Sequence, residues 1–259
     1  MLSNSDASNL SGKVVVVDLS YLIHRSFKAG GLRPTVYPHP DAASAVVPMT
    51  IQRLKSTLRP SEIHFAIESG HKHRDEILPS YKTRDPKPPE LISEYEAIVS
   101  GLLENGESVV FATDFEADDV MATMAYEHGR NCILVTADKD MHQLCNICHL
   151  YDPYKKVEVT SQDVIDKWGV NPRQLGDLLA LMGDDADSIP GVPKIGPKTA
   201  ATLIKEYYCL DDILDAADEM SEKTGKVMWK SLVENKHDAI MSRRLVRLVT
   251  DVKIESLEK

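Results

Sequence analysis

Of the seven carboxylates in the stretch Thr113 to Gln143, five gather in two motifs: Glu116, Asp118 and Asp119 in EADDVMATMA, then Asp138 and Asp140 in TADKD. Brought together, five such groups repel one another unless a cation sits among them. Hard divalent ions with oxygen ligands are the natural counter-charge. Val120, Met121, Met124 and Ala125 recur at the spacing that keeps one helical face apolar, so a helix begins near Glu116. The positive end of its dipole stabilises one or two of these charges, not five. Acids are common in first helical turns, so EADD taken alone is also read as ordinary capping, and the rest of the chain has to decide.

The elements that must position these acids alternate. KVVVVDL, Lys13 to Leu19, is a strand buried on both faces with Asp18 at its carboxyl end. A helix follows from Tyr21 with Arg25 on it, and a second amphipathic helix covers Met49 to Leu58, before Pro60. Glu62 to Ile67 is a strand that ends at Glu68, Glu107 to Ala112 leads into Glu116, and Cys132 to Val135 leads to Asp138. Strands alternating with helices predict an α/β fold, a mostly parallel central sheet flanked by helices, with its site in the crevice beyond the carboxyl ends of the strands. Four separate strand ends deliver acids there.

Between Gly70 and Gly106 the texture becomes basic and then helical from about Glu90. Such an insertion can arch over the crevice, with Arg74, Lys82 and Arg84 as cations for phosphate and Tyr81 as a stacking face; a solvated basic loop is the plain alternative. Past Thr160, a plausible helix cap, GDDADSIPGVPKIGPKTA packs Asp184, Asp185 and Asp187 against a helix–hairpin–helix. Gly191 and Gly196 permit a turn whose N–H groups face a phosphate, while Lys194 and Lys198 add charge without reading bases.

The 259 residues suffice for a full core, one domain or one with an annex. With 42% hydrophobic and 27% charged residues the composition is neither disordered nor membrane-like, and MLSNSDASNLSGK lacks the regions of a signal peptide, so a loose tail over 1–12 on an intracellular protein is expected. The net charge of −10 averages an acidic centre with basic segments and does not exclude nucleic acid. Cys145 and Cys148, with His142 and His149 nearby, raise a zinc alternative. No second ligand pair appears, so small buried side chains under a loop are the expected reading.

VVVDLSYLIHR, RDEILPSYK, EADDVMATMA, TADKDMHQL, YDP and GDDADSIPGVPKIGPKTA occur in the order and approximate spacing of the 5′-nuclease (flap endonuclease) family. The chain resembles the nuclease portion of bacterial family A DNA polymerases and stand-alone phage 5′→3′ exonucleases. The resemblance implies a PIN-like 5′-nuclease fold: an α/β core over 13–158 with a helical arch at about 70–106, and a C-terminal region over 159–259 with the helix–hairpin–helix at about 175–207. It implies metal-dependent phosphodiester hydrolysis on DNA with 5′ ends or flaps, and on RNA–DNA hybrids, by an enzyme of replication and repair in a bacterium or a phage-infected cell; a cytoplasmic monomer without membrane contact is expected, since nothing in the sequence points to an obligate dimer. Asp18, Glu68, Glu116 and Asp118 would hold one Mg²⁺; Asp119, Asp138, Asp140, Asp184 and Asp187 would build the region of a second, with Mn²⁺ as a substitute. Two such ions would activate a water and stabilise the leaving oxygen. Lys82 and Arg74 would stabilise charge on the scissile phosphate, with Asp119 beside them. Tyr81 would stack on a terminal base, Arg25 and Arg84 would contact DNA, and the hairpin, with a K⁺ ion, would grip the duplex backbone through Gly191, Lys194, Gly196 and Lys198.

Two departures stand out. Glu68 occupies the family's usual Asp position in a loop one residue short, where a longer carboxylate would span the gap, and Arg84 lies one residue closer to Tyr81 than the family's arginine. Two alternatives follow: a binding-only protein disabled at Glu68, and a ribonuclease related in fold, which the duplex-gripping hairpin disfavours.

Overall fold

The computed structural model describes residues 10–31, 42–83 and 85–258. The chain runs β1 (Val14–Asp18), α1 (Leu19–Gly31), α2 (Ala42–Leu58), β2 (Glu62–Ala66), a short α3 (Lys72–Asp75), α4 (Pro89–Glu104), β3 (Ser108–Phe111), α5 (Ala117–His128), β4 (Cys132–Val135), β5 (His149–Asp152) and β6 (Val157–Val159). Five further helices follow among the described residues: α6 (Ser161–Trp168), α7 (Leu175–Met182), α8 (Pro197–Tyr207), α9 (Leu210–Thr224) and α10 (Val227–Glu234), before α11 (Lys236–Val246) and the edge strand β7 (Glu255–Ser256).

The seven strands form one sheet in the order β6-β5-β4-β1-β2-β3-β7. The inner five are parallel, and β6 and β7 close the edges antiparallel. Four valines in succession put β1 at the centre, because only a strand covered on both faces buries every side chain. Val15 and Val17 join the core under α1, α2 and α4, whereas Val14 and Val16 join the core shared by α5 and the C-terminal helices. The chain builds outward from β1 to β2 and β3, then crosses to β4 on the other side of β1. The sheet order therefore reverses between β1 and β4, and the crevice opens at that point.

Helix α2 starts at Ala42 rather than at the expected Met49 and runs through Pro48. Its first turn is capped from a distance: the buried Glu94 of α4 accepts hydrogen bonds from the Ala43 and Ser44 amides at 2.6 and 2.8 Å. Helix α4 packs Leu91, Ile98, Val99 and Leu102 into the core, so it is residues 70–88, described except for Arg84, that stand at the crevice. Thr160 caps α6 in a capping box with Asp163, as its position predicts.

The connection from α7 to α8 is tight. Asp184 and Ile189 exchange two backbone hydrogen bonds of 2.9 Å, and Gly183 and Gly191, both at positive φ, lie back to back. A Cβ on Gly191 would fall 2.4 Å from the Gly183 nitrogen, so no side chain fits there. No helix of the described residues is long and apolar enough to cross a membrane.

Candidate active site

Asp18 ends β1 and ties the switch point together. Its Oδ1 accepts from the Tyr21 amide at 2.9 Å and its Oδ2 from the Thr136 hydroxyl at 3.0 Å. Thr136 Oγ1 in turn accepts from the Asp138 amide, and Asp138 Oδ1 from the Asp140 amide. The two acids after β4 are thus fixed relative to the acid after β1. Glu68 follows β2, and Lys87 reaches back to pair with it.

Glu116 stands in extended conformation just before α5, and its side chain turns away from the helix amides. It accepts from Tyr81 Oη at 3.0 Å, from Arg74 Nη1 at 2.7 Å and from Lys82 Nζ. Lys82 lies between Glu116 and Asp187: its Nζ is 3.7 Å from Asp187 Oδ2 and its amide donates to the Asp187 carbonyl at 3.1 Å. Asp18, Glu68, Lys82, Glu116, Asp118, Asp138 and Asp187 line one crevice of about 430 Å³. At its side, Asp140, Asp184 and Asp187 each offer a carboxylate oxygen within 4.8 Å of the others, with Lys139 Nζ 2.5 Å from Asp184.

Charge crowding shows in the proton affinities. Burial, then the nearby Asp138 and Glu68 charges, push the Asp18 carboxyl up to about 7 against the opposing hydrogen bonds. Burial and Asp138 push Asp140 up to about 7 as well, and burial with Asp138 and Asp18 raises Asp118. Glu116 is the opposite case: burial would raise it, but Lys82 and Arg74 outweigh burial and hold it below its ordinary range. Burial alone would depress the Lys82 ammonium, and Glu116 beside it raises it instead. The donor set suits a hard divalent cation. It is all oxygen, it is short of positive charge, and Asp140 Oδ1 is buried without a hydrogen-bond partner.

Several expected roles change with the geometry. Arg74 and Asp119 do not face the crevice: they are 2% and 0% exposed and bind each other through both guanidinium Nη atoms, at 2.6 and 2.8 Å. Arg74 also donates to the carbonyls of Leu245 and Arg247, and Asp119 accepts from the Val249 amide at 2.9 Å. Asp118 and Asp119 are adjacent on a helix and so point about 100° apart, which sends one to the crevice and the other to the core. Tyr81 is 4% exposed, edge-on to His71, and offers no open face for a base in this conformation. The Gly191 amide is taken by Ser242 Oγ at 3.0 Å instead of facing solvent. Lys194, Gly196 and Lys198 are exposed on the hairpin, and Arg25, at the crevice rim, lies over the Tyr154 ring at 4.2 Å. Arg84 lies outside the described residues.

Cys145 and Cys148 are buried, and His142 and His149 bond to Trp168 and Glu158. Sequence reasoning missed Thr136, Lys87 and Lys139. Lys139 had a signal, a lysine set between two acids of a strand-end motif, whereas Lys87 had none beyond the basic texture of its loop.

Residues 170–259 match the family described as 5'-3' exonuclease, C-terminal SAM fold. Among relatives, DNA polymerase I of Rhizobium leguminosarum is 38% identical over 192 residues, 72% of this chain and 19% of that protein. This chain therefore spans about a fifth of that relative. Flap endonuclease Xni of Aeromonas salmonicida is 34% identical over 210 residues, covering 78% of each chain. The solved T5 5'-exonuclease, with zinc ions bound, superposes with a TM-score of 0.73 at 21% identity, over 92% of this chain and 90% of that one, which shows the shared fold. Residues 13–169, more than half of the sequence and the part that carries the acids of all four strand ends, match the 5'-3' exonuclease, N-terminal resolvase-like domain, and the chain belongs to the 5'-3' exonuclease family.

Proposed function

We propose that this protein is a structure-selective 5′→3′ exonuclease and flap endonuclease that hydrolyses phosphodiester bonds near the 5′ ends of DNA, RNA–DNA hybrids included. The observation that carries this reading is the convergence of acids from the ends of β1, β2, β3 and β4 on one crevice, with Lys82 held between Glu116 and Asp187. Mg²⁺, with Mn²⁺ as a substitute, is the ion that fits. Bound there, divalent ions supply a water of lowered pKa and charge to stabilise the leaving oxygen. Asp18, Glu68, Glu116, Asp118 and Asp138 would hold one ion, directly or through water, and Asp140, Asp184 and Asp187 the neighbouring one.

The chain's own groups do the rest. Lys82 is the one crevice cation, among the described residues, that two metal-region acids fix in place, and it is set to meet developing charge on a phosphate oxygen. Arg74, spent on Glu116 and Asp119, acts by positioning Glu116. The α7–α8 hairpin presents Lys194 and Lys198 to solvent, where they would hold a duplex backbone without reading its sequence, with K⁺ as a candidate ion. A soluble monomer in the cytoplasm is consistent with this role.

Cleavage of a 5′-labelled flap duplex tests the reading, with Mg²⁺, with EDTA, and with Asp118→Asn in Mg²⁺. Metal-dependent release of short 5′ products, lost in the variant, is expected. Tight binding without cleavage in Mg²⁺ or Mn²⁺ would overturn it.

A further inference from the structure

A second recess, of about 700 Å³, is larger than the acidic crevice and opposite to it in charge. It lies where the end of α11 meets the starts of α7 and α9 and the turn at 172–174, and Arg173, Arg243, Arg244 and Arg247 line it. Two acids also line it, and both are accounted for. Asp211 pairs with Arg243 at 2.7 Å, and Asp177 accepts from the Leu210 amide at 2.9 Å. Arg173, Arg244 and Arg247 are exposed, and among the described residues their side chains have neither an ion pair nor a hydrogen bond. The chain carries 40 acids against 30 lysines and arginines, so partners were abundant. Three guanidinium groups left open around one recess are a concentration of uncompensated positive charge.

We propose that this cleft is a second phosphate site, separate from the acidic crevice, that takes the phosphodiester backbone of nucleic acid. Guanidinium forks match phosphate oxygens two at a time. The three open arginines come from the turn at 172–174, from α11 and from the residue just after it, and ring an accessible recess, which suits successive phosphates better than a single small anion. Tyr126, 54% exposed at the rim, adds a face on which a base can stack. That the polyanion is nucleic acid rests on the proposed nuclease reading; that the site takes phosphate does not. The cleft is also joined to the metal region. Gln143, in its wall, donates from Nε2 to the Asp140 carbonyl at 3.0 Å and to the Val246 carbonyl at 3.2 Å, and Arg74 links the Leu245 and Arg247 carbonyls to Glu116. A nucleic acid seated here would be held by the same backbone segment that supports the crevice.

The test uses the full chain in EDTA, where nothing is cleaved and the acids of the crevice repel DNA. Binding of a fluorescein-labelled blunt duplex is followed by anisotropy over a salt series for wild type, Arg173→Gln, the double variant Arg244→Gln/Arg247→Gln, and Lys223→Gln as a control for bulk charge. Each arginine lost is expected to lower the slope of log K against log salt by about 1. For the double variant, the loss of affinity between about 50 and about 200 mM salt then shrinks by about tenfold. Calorimetry with tripolyphosphate forms the second arm. Wild-type slope together with lost tripolyphosphate binding in the arginine variants would keep the phosphate site and overturn its assignment to nucleic acid. Unchanged slopes and unchanged tripolyphosphate binding would overturn the site, as would an equal slope change in Lys223→Gln. Failure of the nuclease reading would appear separately, in the flap cleavage assay of the wild type.

Discussion

Arg74 is the residue whose removal best separates a structural role from a chemical one. Its side chain is 3% exposed and makes five hydrogen bonds: two to Asp119, one to Glu116, and one each to the Leu245 and Arg247 carbonyls. Arg74→Met keeps the apolar stem and removes the charge. Asp119, fully buried, is left with the Val249 amide as its hydrogen-bond donor, and Glu116 keeps Lys82 and Tyr81. Breaking a buried pair from one side costs about 3–5 kcal/mol, because the remaining charge stays in low dielectric without its partner. In a chain of this size that lowers Tm by about 10 °C. Thermal unfolding in EDTA measures it without any contribution from metal or substrate. Adding Asp119→Asn to Arg74→Met removes the stranded charge while keeping an acceptor for Val249, and should restore about half of the loss. A single variant that unfolds within about 1 kcal/mol of wild type while losing all cleavage would refute this reasoning and return Arg74 to the scissile phosphate.

Three further outcomes follow from the same geometry. Lys82→Met should reduce cleavage by about 100-fold or more yet destabilise less than Arg74→Met, since Glu116 retains Arg74; parallel rate and melting measurements compare the two. Gly191→Ala should lower stability by more than about 2 kcal/mol in urea unfolding, because the added Cβ meets the Gly183 nitrogen and the backbone stands at φ 61°; a neutral effect would contradict the back-to-back packing. In EDTA, stability should fall as pH rises from about 4 to about 7. Asp18 and Asp140 hold their protons up to about 7 in the folded state against 3.8 in the unfolded chain, so their contribution is complete below the lower value and lost through the upper one. Saturating Mg²⁺ should flatten that decline, and a metal-free Tm that is constant or rising over the window would contradict it.

What the sequence made legible was whatever repeats along the chain or sits at the end of a periodic element. Four valines before Asp18, and the apolar runs before Glu68, Glu116 and Asp138, place acids at strand ends because strand direction fixes where each run stops. That sufficed for the sheet and the crevice. The same reasoning failed at adjacent residues that a helix turns apart: EADD reads as one acidic group, yet Asp118 faces the crevice and Asp119 a buried guanidinium. Nor does a linear pattern reveal contacts whose partners lie far along the chain. Glu94 caps α2 from 50 residues away, and Arg74 meets carbonyls more than 170 residues on. A basic residue near an acidic motif carries the same signature whether it awaits a phosphate or neutralises a buried carboxylate. Burial distinguishes the two cases, and burial is decided by the C-terminal segment 245–249 closing over Arg74. The dependence runs both ways, since that segment's carbonyls and the Val249 amide have their partners in Arg74 and Asp119. The acidic crevice is therefore supported from behind by segment 245–249, and loss of that support should reach Glu116 before it reaches Asp18 or Asp138, which are tied to each other through Thr136.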